Sequence, residues 1–282
     1  MEYFKENMIL LGCGDSWCWG DELIDKDLYP KYKFGDDLGN LKNNDTYREK
    51  NRYLNLLGQK LGTEQIHCLA FRGSSNDAIF RTLVDYLANE SYLSGRSTKQ
   101  LFVSIGWTSP ERREFYFKEK WGSDNWMPVG PWQLDHDGTR PYLCDFQNLL
   151  FEHFWHTAEY MNRWTRQLYF TELLLKSLNI SYVMHQAFYH SSLKTINDWD
   201  SNDLKNAKDY ISRQDNLIYE SLDNIKFIGK NDTGMTFHNY ILNQVNGDTK
   251  KVFAEWHPNE LGHKLWADFL YKYIRDNNLW TE

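Results

Sequence analysis

MILLG, at residues 8–12, is a continuous apolar run that ends in glycine. Such a run is typical of a strand that is buried on both faces of a parallel sheet. Similar short apolar runs occur at residues 65–70, 100–106 and 180–184, and residues 225–228 supply a candidate fifth strand. Strands that alternate with helical segments indicate βαβ units. We therefore predict a three-layer α/β/α sandwich whose sheet is mainly parallel.

Apolar residues recur at helical spacing in four segments between and after these strands. The predicted helices cover residues 51–61, residues 76–88, residues 150–179 and the segment from residue 261 onward. Gly62 directly follows the first of them, and a glycine there is a common helix stop.

The composition predicts one globular domain, residues 1–282, with an aromatic-rich insertion at about 111–145 after the third strand. Six prolines and seventeen glycines exclude collagen-like and low-complexity architectures. A net charge of −7 with interleaved acids and bases argues against nucleic acid as a partner. The apolar stretch at residues 8–11 is too short for a signal peptide or a membrane span, so we expect a cytoplasmic protein with no membrane partner.

The four cysteines are Cys13, Cys18, Cys68 and Cys144, and their spacing matches neither a CxxC motif nor a disulfide framework. Reduced thiols fit the cytoplasm. Cys13 and Cys18 closely flank Ser16, so each is either a reactive thiolate or a small core residue, and the second alternative is the commoner one beside an apolar strand.

Gly14-Asp15-Ser16 directly follows the first strand, where the ligand crevice of a parallel α/β sheet lies. A serine there suits a nucleophile, which needs a base and donors for the oxyanion. His257, in a loop before the last helix, is a candidate base. The alternatives are a turn with a helix cap for the tripeptide and a structural histidine. His257 and His263 lack further ligands at a recognisable spacing, so we expect no metal.

The order of these motifs resembles the SGNH/GDSL hydrolase superfamily, including members from marine phages and bacteria, over nearly the whole chain. The resemblance implies a flavodoxin-like sheet, Ser16 as nucleophile and His257 as base. It also implies that the backbone N–H groups of Ser16 and Gly73 form the oxyanion hole, and that no cofactor is required. For a phage-encoded protein, association with the virion would be an additional location.

Two positions depart from the pattern of that superfamily. Thr108 stands where an oxyanion-hole asparagine is usual, so we consider the Thr108 hydroxyl and the nearby Asn76 amide as donors. Ala254 stands where an aspartate usually precedes the histidine. Glu255 is one position away, and its carboxylate is our candidate for orienting His257, with a backbone carbonyl as the alternative.

Large aromatic rings are frequent between Trp107 and Trp132. They either stack on a substrate or pack the insertion onto the sheet, and we predict that Trp107 and Trp17 contact the substrate. The function we expect is serine-dependent hydrolysis of a carbohydrate or small-molecule ester through an acyl-enzyme on Ser16. The alternative is a non-catalytic carbohydrate-binding or assembly protein of the same fold. The sequence leaves the oligomeric state open.

Overall fold

The computed structural model describes residues 8–32, 41, 44–89, 98–121, 124–130, 141–154, 157–187 and 216–280. The strands in these ranges are β1 (Ile9–Cys13), β2 (Gln65–Cys68), β3 (Leu101–Trp107), β4 (Arg113–Trp121), β5 (Asp124–Val129) and β6 (Ser181–Gln186). The α-helices are α1 (Ser16–Trp19), α2 (Asn44–Asn51), α3 (Tyr53–Leu61), α4 (Asn76–Ala88), α5 (Pro141–His153), α6 (Thr157–Ser177), α7 (Asn216–Ser221), α8 (Phe237–Gln244), α9 (Thr249–Val252) and α10 (Glu260–Asp276).

Four strands form a parallel sheet in the order β2-β1-β3-β6. β1 lies in the interior of the sheet, and all five of its residues are buried, as the MILLG run predicts. The predicted fifth strand at residues 225–228 is reduced to one parallel bridge between Phe227 and Met184. Turns on both sides explain this correction, because Phe227 N–H donates to Asp223 O and Lys230 N–H donates to Phe227 O.

Each face of the sheet is covered by helices, because alternate residues of a strand point to opposite faces. One face carries Ile9, Leu11, Val103 and Ile105, which pack against α4 and α6. The other face packs against α3, α8 and α10, and its strand residues are Leu10, Phe102 and Val183. The mixed α/β fold with a mainly parallel sheet between two helical layers is confirmed.

The structure divides two of the predicted helices. Residues 51–61 were expected to form one helix, but Arg52 is extended, with φ −69° and ψ 146°, and separates α2 from α3. Gly62 ends α3 with φ +79°, a left-handed conformation that favours glycine. The helix expected at residues 150–179 is two helices, α5 and α6, and α5 begins earlier than expected, at Pro141.

The insertion after β3 contains the antiparallel pair β4–β5, which packs with α5 around a small cluster of its own. Arg81 of α4 fastens this hairpin through Glu114, with N–O distances of 2.8 and 2.7 Å. The same guanidinium lies 4.8 Å from the centre of the Trp126 ring. This ring therefore packs the insertion onto the domain. Trp132 lies outside the described residues.

A helix that crosses a bilayer needs about 20 consecutive, mainly apolar residues. Within the described ranges, no helix combines the length and the apolar character needed to cross a bilayer.

Candidate active site

Ser16 lies at the carboxyl end of β1, as the first residue of α1. The turn before it needs glycine at position 14, because a Cβ there would lie 2.5 Å from Cys18 Cβ and 3.1 Å from Gly106 O. Asp15 caps α1 by accepting a hydrogen bond of 3.0 Å from Trp17 N–H. The Gly-Asp-Ser sequence thus forms both the predicted turn and the predicted cap, and together they fix the position of the Ser16 hydroxyl.

Asp15 also connects this turn to the loop that follows β3. The Thr108 hydroxyl donates to Asp15 Oδ2 at 2.6 Å, and an Arg112 nitrogen lies 3.4 Å from the same oxygen. Asp15 is fully buried. A hydroxyl has a single hydrogen to donate, and the Thr108 hydroxyl donates it to Asp15. The hydroxyl therefore does not serve as the oxyanion donor that we expected.

The structure brings His257 to Ser16, although 241 positions separate them in the sequence. His257 Nε2 lies 3.0 Å from Ser16 Oγ, within hydrogen-bond distance. A small turn holds the histidine, because Ala254 N–H donates to His257 O and Phe253 forms a bridge with Pro258. A serine hydroxyl at this distance from an imidazole is the arrangement of a nucleophile and its base.

Glu22, and not Glu255, is the carboxylate that holds the histidine. Glu22 Oε2 lies 3.5 Å from His257 Nδ1 and accepts hydrogen bonds from the backbone N–H groups of Glu255, Trp256 and His257, at 3.1, 3.0 and 2.8 Å. The Glu255 side chain is exposed, and this residue contributes its N–H group to the arrangement. Our prediction for Glu255 is corrected, because the carboxylate behind the ring comes from the segment after α1.

The backbone at Glu22 is strained, with φ +63°, a region that is uncommon for a residue with a side chain. Strain of this kind costs on the order of 1–3 kcal/mol and persists where surrounding contacts impose it. Here the contacts are the four groups around one carboxylate oxygen. The acidic pair Asp21-Glu22, six positions after the serine, is the sequence signal that could have drawn attention to this residue.

The Glu22 carboxyl stays ionised through these contacts. Burial alone would raise its pKa, but the facing His257 side chain and hydrogen bonds from three backbone N–H groups bring the pKa below its ordinary value. A fixed negative charge therefore faces Nδ1 of His257. Such a charge stabilises an imidazolium and favours the tautomer with the proton on Nδ1, which leaves the Nε2 lone pair directed at Ser16.

Ser16 and Gly73 are the residues whose backbone N–H groups we expect to bind an oxyanion. Ser16 is the first residue of its helix, so its N–H has no partner within α1. Gly73 has φ +72°, a left-handed conformation that favours glycine, and a Cβ placed there would meet nothing within 4 Å. In the described part of the chain, no acceptor is bonded to Gly73 N–H. Asn76 exchanges hydrogen bonds with the Thr108 backbone at 2.9 and 3.1 Å, so one of the two hydrogens of its amide group is used there.

The two tryptophans that we expected to contact the substrate are core residues. Trp107 is fully buried on the α4/α6 face of the sheet, and Trp17 packs its ring against Phe237 and Phe253. The prediction for Trp107 is corrected because alternate residues of a strand point to the same face, and Trp107 therefore lies with Val103 and Ile105 in the core. Trp256, the residue before His257, has an exposed side chain instead, with a relative exposure of 69%.

His263 is also a core residue. It is fully buried, stacks on Tyr53, and accepts a hydrogen bond of 3.2 Å from Tyr53 N–H at Nδ1. Burial lowers its pKa to about 3, with smaller contributions from His257 and Arg52, so the ring is neutral near pH 7. The structure thus gives the two histidines of the last motif different environments.

The thiols near Ser16 favour packing over reactivity. Cys13 and Cys18 are buried and free. Burial raises the pKa of the Cys13 thiol, and a hydrogen bond with Cys68 together with burial raises that of Cys18. Both thiols are therefore protonated near pH 7, whereas a cysteine nucleophile needs a thiolate. Among the described residues, no three His, Cys, Asp or Glu side chains are grouped to hold a metal ion.

The chain belongs to a family of unknown function, DUF6071, whose model matches residues 34–281. The match includes Gly73, Asn76 and His257 but begins after Ser16 and Glu22. No curated protein matches the chain. The description of that family assigns no activity to its members.

Proposed function

We propose that the protein is a serine-dependent ester hydrolase of the SGNH/GDSL type, with Ser16, His257 and Glu22 as its triad. The observation that carries this proposal is the contact of 3.0 Å between Ser16 Oγ and His257 Nε2, with the Glu22 carboxylate on the far side of the ring. The order hydroxyl, imidazole, carboxylate is the one used by serine hydrolases on unrelated folds. The distance of 3.5 Å at Nδ1 is longer than an ordinary hydrogen bond, as is frequent in sites without substrate.

In the acylation step, Ser16 Oγ attacks the carbonyl carbon of the ester and its proton passes to His257 Nε2. Glu22 keeps the ring in the required tautomer and stabilises the imidazolium that forms. The tetrahedral intermediate then breaks its bond to the alcohol oxygen, which takes the proton back from Nε2. The products of this step are the free alcohol and an acyl group on Ser16.

The negative charge on the carbonyl oxygen is held by the N–H groups of Ser16 and Gly73 and by the remaining hydrogen of the Asn76 amide. Preorganised donors of this kind contribute about 3–4 kcal/mol each to transition-state stabilisation. Asn76 therefore takes the role that the superfamily assigns to an asparagine after the third strand. Thr108 supports it, because its backbone N–H and C=O groups hold the amide in place.

In the deacylation step, His257 takes a proton from water, and the resulting hydroxide attacks the acyl carbon. The bond to Ser16 Oγ breaks, and His257 returns the proton to that oxygen. A carboxylic acid leaves and the site is restored. The cycle uses residues of this chain and water.

The substrate class that we propose is an O-acyl group on a carbohydrate or a small alcohol. The exposed Trp256 indole beside His257 supports a carbohydrate, because large rings stack on the apolar faces of sugars. We propose the cytoplasm as the location of this activity, and the four free cysteines fit its reducing conditions.

The test is hydrolysis of p-nitrophenyl acetate by the wild type, by Ser16→Ala and by Ser177→Ala. Ser177 is exposed and donates to Leu174 O at the end of α6, so its alanine variant is the matched control. We expect turnover by the wild type and by Ser177→Ala, and a rate at the uncatalysed level for Ser16→Ala. A wild type that does not exceed the uncatalysed rate while folded would favour the non-catalytic alternative, a binding or assembly protein.

A further inference from the structure

The Arg72 guanidinium is linked to His257 of the proposed triad through the Asp21 carboxylate. Asp21 Oδ2 lies 2.7 Å from Arg72 Nε and 3.9 Å from His257 Nε2. The proposed triad leaves both residues unused. Arg72 also directly precedes Gly73, whose N–H group is the proposed oxyanion donor.

The contact with Asp21 holds the guanidinium but leaves its outer edge available. Asp21 is buried and Arg72 bonds to it through Nε, whereas the Arg72 side chain is 41% exposed. No acceptor in the described part of the chain is bonded to the two terminal nitrogens. These nitrogens form the flat edge of the guanidinium, which recognises a carboxylate with two parallel hydrogen bonds.

The other charged groups around the site are already paired within the protein. Asp15 is bonded to Thr108 and lies beside Arg112, and Glu22 accepts three backbone N–H groups and faces His257. Asp21 pairs with Arg72 through Oδ2, and its second oxygen accepts Glu22 N–H at 3.2 Å. Arg72 is therefore held at one nitrogen by Asp21, while its exposed terminal nitrogens keep their donors for a ligand.

The proton transfers indicate which part of the ester, the acyl or the alcohol part, lies nearer to Arg72. His257 Nε2 delivers its proton to the oxygen of the leaving alcohol, so the alcohol part of the substrate lies beside Nε2. Asp21 Oδ2 lies 3.9 Å from that same nitrogen and is bonded to Arg72 Nε, so the guanidinium is one carboxylate away from it. A negative charge on the alcohol part would therefore lie within reach of the guanidinium.

We propose that Arg72 is a specificity-determining residue that binds a carboxylate on the alcohol part of the ester, as in the acyl ester of an acidic sugar. This inference rests on the proposed hydrolysis and adds the charge of the substrate to it. An ester of a neutral alcohol cannot form the paired hydrogen bonds with Arg72 and is therefore the poorer substrate.

The experiment compares kcat/KM for 4-acetoxybenzoate and for its neutral methyl ester, each divided by the uncatalysed rate. The proteins are the wild type, Arg72→Gln, Arg72→Lys and the control Lys60→Gln. Lys60 pairs with Asp268 at 2.6 Å near the end of α3 that leads to the amino end of β2, whereas Arg72 follows the carboxyl end of that strand, so the Lys60 variant makes the same change in net charge away from the site.

We expect Arg72→Gln to reduce the preference for the anionic ester by about tenfold or more, the loss typical of hydrogen bonds to a charged group. Arg72→Lys should retain part of the preference and Lys60→Gln all of it. The preference of the wild type should also fall as sodium chloride is added, because salt screens a partly exposed charge.

Equal preferences in the wild type and Arg72→Gln would overturn the proposal. An equal loss on both esters would also overturn it, because Arg72 would then act on Asp21 alone. If the folded wild type hydrolyses neither ester, the proposed function fails, and calorimetric titration with the product 4-hydroxybenzoate and its methyl ester decides the binding claim separately. Binding of the acid that Arg72→Gln weakens about tenfold supports an anion site, and binding that is absent or insensitive to Arg72 refutes it.

Discussion

Glu22→Gln is the substitution that separates the charge of the triad carboxylate from its structural role. Glutamine keeps an oxygen that can accept the N–H groups of Glu255, Trp256 and His257, so the turn that carries the histidine should stay in place. The variant lacks the negative charge at 3.5 Å from His257 Nδ1. Its amide group can also present a donor to the ring, which favours the wrong tautomer.

The expected loss in kcat is about 10²- to 10⁴-fold, the range that follows from removing the charge of an orienting carboxylate in a triad. The free energy of unfolding should change by a smaller amount than the activation free energy. Hydrogen bonds to a charged group contribute about 1 kcal/mol more than neutral ones, so the three backbone contacts lose about 3 kcal/mol together at most. Glu22→Ala should be worse for folding, because it removes the acceptor of all three N–H groups.

The assay is the initial rate of p-nitrophenyl acetate hydrolysis, with urea unfolding measured on the same preparations. Glu255→Gln is the matched control, since it makes the same chemical change on an exposed side chain in the same turn. We expect the control to retain a rate near that of the wild type. A Glu22→Gln enzyme with normal kcat, or a Glu255→Gln enzyme with the larger loss, would refute the assignment of the triad carboxylate.

Further predictions concern the two histidines of the last motif, the oxyanion loop and the response to acid. His257→Ala should abolish esterase activity with little change in melting temperature, whereas His263→Ala should mainly lower the melting temperature, because it opens a cavity beside Tyr53. Gly73→Ala places a side chain at φ +72° in open space, so its main effect should be a lower kcat through a displaced N–H group. The free energy of unfolding measured in urea should stay unchanged or fall by about 1 kcal/mol. Burial lowers the pKa of His185 and of His263 to about 3, so the unfolded chain binds more protons than the native one below the ordinary histidine pKa. Unfolding free energies should therefore fall by about 2 kcal/mol for each of these histidines between pH 7 and pH 5, and replacing His263 with glutamine should remove its share of that slope; a slope that stays the same would contradict the neutral buried state.

Three strands of the sheet, β1, β3 and β6, were predictable because they are short apolar runs, and burial on both faces leaves such a run few other structures. The fifth strand was predicted wrongly for a reason that the local sequence does not show. Residues 225–228 are apolar enough for a strand, but Asp223 and Lys230 form turns on either side and leave one bridge at Phe227.

The nucleophile and the base were predictable from their places at the ends of elements, whereas the carboxylate was not. Glu22 reaches His257 across a distance of more than two hundred residues, and it does so in a left-handed backbone conformation that local sequence does not specify for glutamate. Glu255 was preferred because it is close in sequence. The Trp107 position was predictable in principle, since strand alternation alone assigns it to the same face as Val103 and Ile105.

Covalent labelling of Ser16 by a fluorophosphonate tests the central claim most directly, because only a serine activated by a base reacts readily with it. The intact mass of the folded wild type should increase by one phosphonyl group, and peptide mapping should find that group on Ser16. Ser16→Ala and His257→Ala should remain unlabelled under the same conditions, while Glu255→Gln should be labelled like the wild type. A folded wild type that stays unmodified, or that carries the label on another residue, would contradict the proposed hydrolase.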